Sequence, residues 1–218
     1  MSMTEHTEEA PPARETWLAR LAGAALDLAE TREWSALRLQ DIAAAADTGL
    51  SHPSGPVTRD EIALAALCLP DAALAGDPPA PQASVRDQLF DIVMQRYDTM
   101  ELRRGGYAAL LAHLERHPVL WPSAASRRLR TARFALSLAG IEGEAGLAAS
   151  VWLAGQTVRL DRVWKTEASP DLPRTMAALD RILRDMEDAA GTFGRWTGAK
   201  GRRRPEDAPD TGATPGEG

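Results

Sequence analysis

Residues 39–61, LQDIAAAADTGLSHPSGPVTRDE, decide how this chain is read. The run from Arg38 to Ala46 predicts a positioning helix followed by a turn, the opening of a helix-turn-helix DNA reader. A reading helix is then expected to begin near Gly49. The chain offers Ser51, His52, Pro53, Ser54, Gly55 and Pro56 instead. Proline inside a helix removes a donor and clashes with the preceding turn, at a cost of roughly 3 kcal/mol. With two prolines and a glycine so close together, at most one turn of helix is expected before Pro53. The surrounding pattern points to nucleic acid, yet the segment that would read it is broken.

The flanking elements read as helices. Trp17, Leu18, Leu21, Ala25 and Leu28 recur at helical spacing and predict a helix over about 14–31. Glu33 to Leu37 is a connector with an aromatic plug, Trp34, and the second helix is expected over about 39–46. Thr58 with Glu61 three residues later has the form of a capping box. The helix it starts should end or kink at Pro70. Between Arg14 and Ile62, five arginines (Arg14, Arg20, Arg32, Arg38, Arg59) face eight carboxylates, which leaves this head at −3. Affinity for DNA rests largely on neutralised phosphates, so an acidic head lowers it.

Residues 76–83 read as a linker between this head (14–75) and a second, wholly helical region (84–193). Ser84 can cap a helix carrying Val85, Leu89, Ile92, Val93 and Tyr97. Further helices are expected over about 103–116, 122–138 and 143–164, the third of these apolar most of the way round. Ser169, Pro170 and Asp171 resemble a helix start, with cap, proline and acid in order. Leu172, Met176, Leu179, Leu183 and Met186 then form a seam suited to a partner helix. The two last helices therefore predict a homodimer, with Leu147, Val151, Val158, Met176, Leu179 and Leu183 at its interface. Residues 1–13 and 194–218 are expected to be disordered.

Composition narrows the classes. The chain has 218 residues and is 44% hydrophobic, enough for a proper core. Alanine and leucine dominate while β-branched residues are sparse, which favours an all-α fold. The net charge is −6. Cys68 is the only cysteine, set in an apolar run, and reads as a core residue. No apolar stretch approaches the roughly 20 residues of a membrane span, and no signal core opens the chain, so a cytoplasmic location is expected. Phosphate loops, Cys-x-x-Cys, His-Glu-x-x-His and Gly-x-Ser-x-Gly are missing, so no enzyme, no cofactor and no metal is expected. His113 and His117 stand at a metal-compatible spacing; the plainer expectation is a pair serving the end of its helix.

The run Ala24 to Glu30, followed by Trp34-Ser35-Ala36-Leu37-Arg38-Leu39-Gln40-Asp41-Ile42-Ala43, resembles the TetR family of bacterial transcriptional regulators. Glu33 stands where that family usually has glycine. The stretch from Trp164 to Arg181 is similar to an alphaproteobacterial subgroup, and also to ubiquinone-biosynthesis lipid-binding proteins that share the fold. The resemblance covers about 16–192. It implies a TetR-like all-α fold, a ligand-responsive homodimer and operator DNA as a partner. It further implies a small apolar ligand or lipid held in the helical region. Phe90, Met94, Tyr97, Trp121, Phe134 and Trp152 are the candidate lining residues. The family's reading helix carries a tyrosine and a following lysine, which have no counterpart in this chain. Arg38, Thr48, His52 and Arg59 remain as candidate DNA contacts. Two functions stay open: a regulator with an unusual head, and a protein that keeps the fold without reading DNA. The second would bind a lipid, an isoprenoid or a protein partner.

Overall fold

The computed structural model describes residues 13–75 and 83–197. Among them are eight α-helices and one two-stranded hairpin. The head contains α1 (Arg14–Ala29), α2 (Leu39–Ala45), β1 (Ser51–His52), β2 (Gly55–Pro56) and α3 (Arg59–Cys68). The body contains α4 (Val85–Glu101), α5 (Arg104–Arg116), α6 (Trp121–Leu138), α7 (Gly143–Lys165) and α8 (Pro173–Thr197). No helix among the described residues is long and apolar enough to cross a membrane. The linker expected over 76–83 and the disorder expected over 1–13 lie almost wholly outside the described residues.

Local chemistry explains most boundaries. The Thr58 hydroxyl accepts from the Glu61 amide while the Glu61 carboxylate accepts from the Thr58 amide, so the capping box forms as expected. Ser84 caps α4 by accepting from the Asp87 amide. At the end of α2, the amides of Thr48 and Asp47 return to the carbonyls of Ala43 and Ala44, with Asp47 at φ 45°. That is a Schellman ending in which aspartate takes the left-handed position usually given to glycine.

Two expectations at the last helix are corrected. The helix starts at Pro173, not near Pro170, because Glu167 rather than Ser169 supplies its cap. The Glu167 carboxylate accepts from the amides of Arg174 (2.7 Å) and Thr175 (3.1 Å). Burial pushes that carboxyl up, but these amides outweigh it and hold it below the ordinary range. Leu172, at φ 52°, turns the chain between cap and helix. The same helix runs to Thr197, past Gly194 where disorder was expected to begin. Glycine within a helix costs about 1 kcal/mol, which does not by itself stop one.

One apolar core runs without a break from α1 to α8. Trp34 plugs the join between head and body, wholly buried, with its ring 6.3 Å from that of His113 on α5. Gly106 allows α5 to touch α1: a Cβ there would lie 2.3 Å from the Leu26 carbonyl oxygen. Its amide donates to Glu30 Oε1 at 2.9 Å, and Arg103 pairs with Asp27 at 2.6 Å. The head is therefore bonded and packed to the body along α1.

Candidate functional site

A cavity of about 730 Å³ opens between the C-terminal part of α5, α6 and α7. Leu111, Leu114, Trp121, Leu129, Val151, Ala154 and Val158 give it mostly apolar walls. Arg128 and Asp161 bring charge to an otherwise greasy lining. Their side chains are 11% and 6% exposed, with Arg128 Nη1 2.5 Å from Asp161 Oδ2. The Tyr97 hydroxyl donates to Asp161 Oδ1 at 2.8 Å from the buried side. Burial, reinforced by the Asp161 charge, pushes the Tyr97 phenol well above its ordinary range, so it stays a donor. Glu115 and Arg162 reach the rim, where Glu115 also meets Lys165 at 2.6 Å. An apolar cavity of this size with a few convergent polar groups is the usual form of a small-molecule site.

Of the six candidate lining residues, only Trp121 borders this cavity. Its indole donates to the Leu114 carbonyl at 3.0 Å while the side chain stays 57% exposed. Tyr97 stands behind the site and acts through Asp161. Met94 is buried in the core and Trp152 packs against it half-buried, whereas Phe134 is exposed. Phe90 borders a smaller cleft of about 350 Å³ with Arg86, Met176 and Asp180. Helical spacing identifies apolar faces but not which of them leaves a gap. Arg128 and Asp161 were missed because they lie on different helices. The available signal was an acid set among Val158, Leu160 and Trp164 on one helix.

The expected dimer residues divide. Leu147, Val151 and Val158 on α7 and Met176 on α8 are exposed. Leu179 and Leu183 are not available to a partner, because both are wholly buried where α8 packs on α4 and α7 of its own chain. Val151 and Val158 also border the cavity.

In the head, the segment Ser51–Pro56 holds no helix at all. β1 and β2 pair antiparallel, with Ser51 opposite Pro56 and His52 opposite Gly55, and Pro53 and Ser54 at the turn. Pro56, which has no amide to donate, is tolerated on such an edge, and Gly55 at φ 112° takes a conformation closed to most residues. The hairpin is tied to α1. The Trp17 indole donates to the Gly49 carbonyl at 3.0 Å and its ring lies 5.2 Å from that of His52. Arg14 donates to the Gly55 carbonyl at 3.2 Å and to Glu61 at 2.8 Å.

Three of the four remaining head arginines are similarly engaged. Arg20 donates to the carbonyls of Ala46 and Asp47, and Arg32 lies 3.7 Å from Asp41. Arg59, a candidate phosphate contact, instead donates to the carbonyls of Ser35 (2.8 Å) and Leu37 (3.3 Å). The Thr48 amide closes the end of α2, and His52 Nδ1 accepts from the Ser54 amide at 3.1 Å. Among the described residues, Arg38 is the one head arginine whose side chain has no polar partner.

At the C-cap of α5, His117 Nδ1 lies 2.8 Å from the His113 carbonyl, the expected helix-end contact; the His113 ring, 4.0 Å away, is buried and makes no hydrogen bond among the described residues. No cluster of three or more metal-ligating side chains occurs among the described residues.

No family model matches the sequence, and no curated protein matches it. A solved structure does. The crystal structure of a TetR transcriptional regulator from Rhodococcus sp. RHA1 superposes with a TM-score of 0.57 over 81% of this chain and 97% of that one, at 16% sequence identity. The chain has a TetR-like fold. The hairpin stands where the sequence led a reading helix to be expected, and the cavity lies in the helical body.

Proposed function

We propose that this chain is a TetR-fold binding protein whose body holds a small, mainly apolar molecule and whose head does not read operator DNA through a recognition helix. Two copies associate through the exposed face of α7 and the start of α8, where Leu147, Val151, Val158 and Met176 would be covered. The observation that carries this reading is the hairpin at Ser51–Pro56 in an acidic head. Strands of two residues are too short to line up several base-reading side chains along a major groove as a recognition helix or a longer β-ribbon does. Four of the five head arginines already serve internal acceptors, so few cations remain for phosphates.

A ligand-responsive, operator-binding regulator is the second reading, favoured by the fold shared with the Rhodococcus regulator. Binding of genomic fragments by the purified protein at two salt concentrations separates the two. The proposed function predicts no enriched site. Enrichment of a short palindrome that weakens steeply with salt would overturn it and establish the regulator.

A further inference from the structure

The floor of the cavity carries information about its occupant. Asp161 is 4% exposed and its Oδ1 already accepts from Tyr97. Arg128 Nη1 lies beside Oδ2, but without the alignment of a hydrogen bond. Oδ2 is therefore a buried acceptor with no aligned donor among the described residues. Sealed from the cavity, it neutralises Arg128 without offering an acceptor to an occupant. Arg128 in turn has only Asp161 and, at 3.4 Å, Thr157 as polar partners among the described residues, although a guanidinium offers five N–H groups.

Charge limits the choice of ligand. The four charged groups lining the cavity, Glu115, Arg128, Asp161 and Arg162, sum to zero. Beneath them the buried Arg96 is paired with Asp71, again neutral together. A bound carboxylate would compete with Asp161 for Arg128, and a bound ammonium would compete with Arg128 for Asp161. Either would leave one buried charge unmatched, the costly outcome for an ion away from water. A hydroxyl does neither. It accepts from an N–H of Arg128 that Asp161 and Thr157 leave open, while an apolar body fills the space between Leu111, Val151 and Val158.

Building on the binding function proposed above, we infer that this cavity selects a neutral apolar molecule bearing a hydroxyl group over a carboxylate or ammonium of the same length. The test is titration of the full chain with decanol, decanoate and decylammonium at neutral pH. Calorimetry and displacement of an environment-sensitive apolar dye supply the readouts. Decanol is expected to bind at least about tenfold more tightly than either ion, a difference of about 1.4 kcal/mol. Equal or tighter binding of an ion would overturn the selectivity while leaving the binding function intact. No binding by any of the three would sink both.

Asp161→Asn keeps the shape but frees the Arg128 charge, and is expected to turn the preference toward decanoate. If that variant does not fold, Arg128→Met should turn it toward decylammonium. An unchanged order in a folded variant would overturn the role of the pair. Leu129→Trp, which fills the cavity from α6 and leaves the proposed dimer face untouched, should abolish decanol binding, and unaltered affinity would overturn the location.

Discussion

Replacing Gly106 with alanine probes the join between head and body. The new Cβ would lie 2.3 Å from the Leu26 carbonyl oxygen and 3.0 Å from its carbon, both main-chain atoms of α1. No side chain can swing away, so α1 and α5 must separate. Overpacking of this kind costs about 1–3 kcal/mol. Separation also breaks the bond from the Gly106 amide to the Glu30 carboxylate, and hydrogen bonds to charged groups contribute about 1.5–3 kcal/mol. Against this, alanine gains about 1 kcal/mol over glycine in a helix. The expected net loss is about 2–5 kcal/mol. At about 2–4 °C per kcal/mol for a chain of this size, Tm should fall by about 10 °C. Gly155→Ala is the matched control: it also lies within a helix, but nothing is within 4 Å of its added methyl. It should gain about 0.5–1 kcal/mol. Urea unfolding of both variants, with unchanged m, measures the contrast. A G106A protein as stable as G155A would refute the close contact of α1 and α5.

Four further outcomes are expected. Burial, aided by the neighbouring His117, lowers the His113 pKa from 6.5, so the native state takes up its proton less readily than the unfolded chain. His113 therefore contributes its full stability above about pH 6.5 and loses it as pH falls below that value; His113→Leu should flatten the acid limb of a stability–pH curve. Tyr97→Phe leaves Asp161 Oδ1 without its donor and should cost about 1–3 kcal/mol by denaturant titration. Thr58→Ala removes the capping box of α3, for an expected loss of about 0.5–2 kcal/mol in Tm-derived stability. Leu147→Glu with Val151→Glu should yield a folded monomer in sedimentation, whereas Leu183→Ala should destabilise the fold itself by about 2–5 kcal/mol; a dimer that survives the double change would remove α7 from the interface.

The helices were legible because their signals are local. Thr58 with Glu61, and Ser84, each mark a boundary within one turn of where it falls. The break at Pro53 was equally plain, but its replacement was not. Strands of two residues leave no alternation to detect, and a proline in one of them argues against strand at all. Long-range pairing hid the rest. The identity of the α8 cap depends on Glu167 folding back on Arg174, against the nearer Ser169. Leu179 and Leu183 have the spacing of an interhelical seam whether the facing helix belongs to the same chain or to another, so spacing could not assign them. Arg128 and Asp161 become a site only when α6 lies against α7.

The ties between α1 and the hairpin bear on how firmly the head holds its shape. Arg14 holds the Gly55 carbonyl, within the hairpin, and Trp17 holds the Gly49 carbonyl just before it. A helix over Ser51–Pro56 would take the Gly55 carbonyl from Arg14, which would keep only Glu61 as its partner. α1 thus serves the hairpin as an abutment: opening Ser51–Pro56 would cost the head a main-chain bond of Arg14 as well as the strand pair itself.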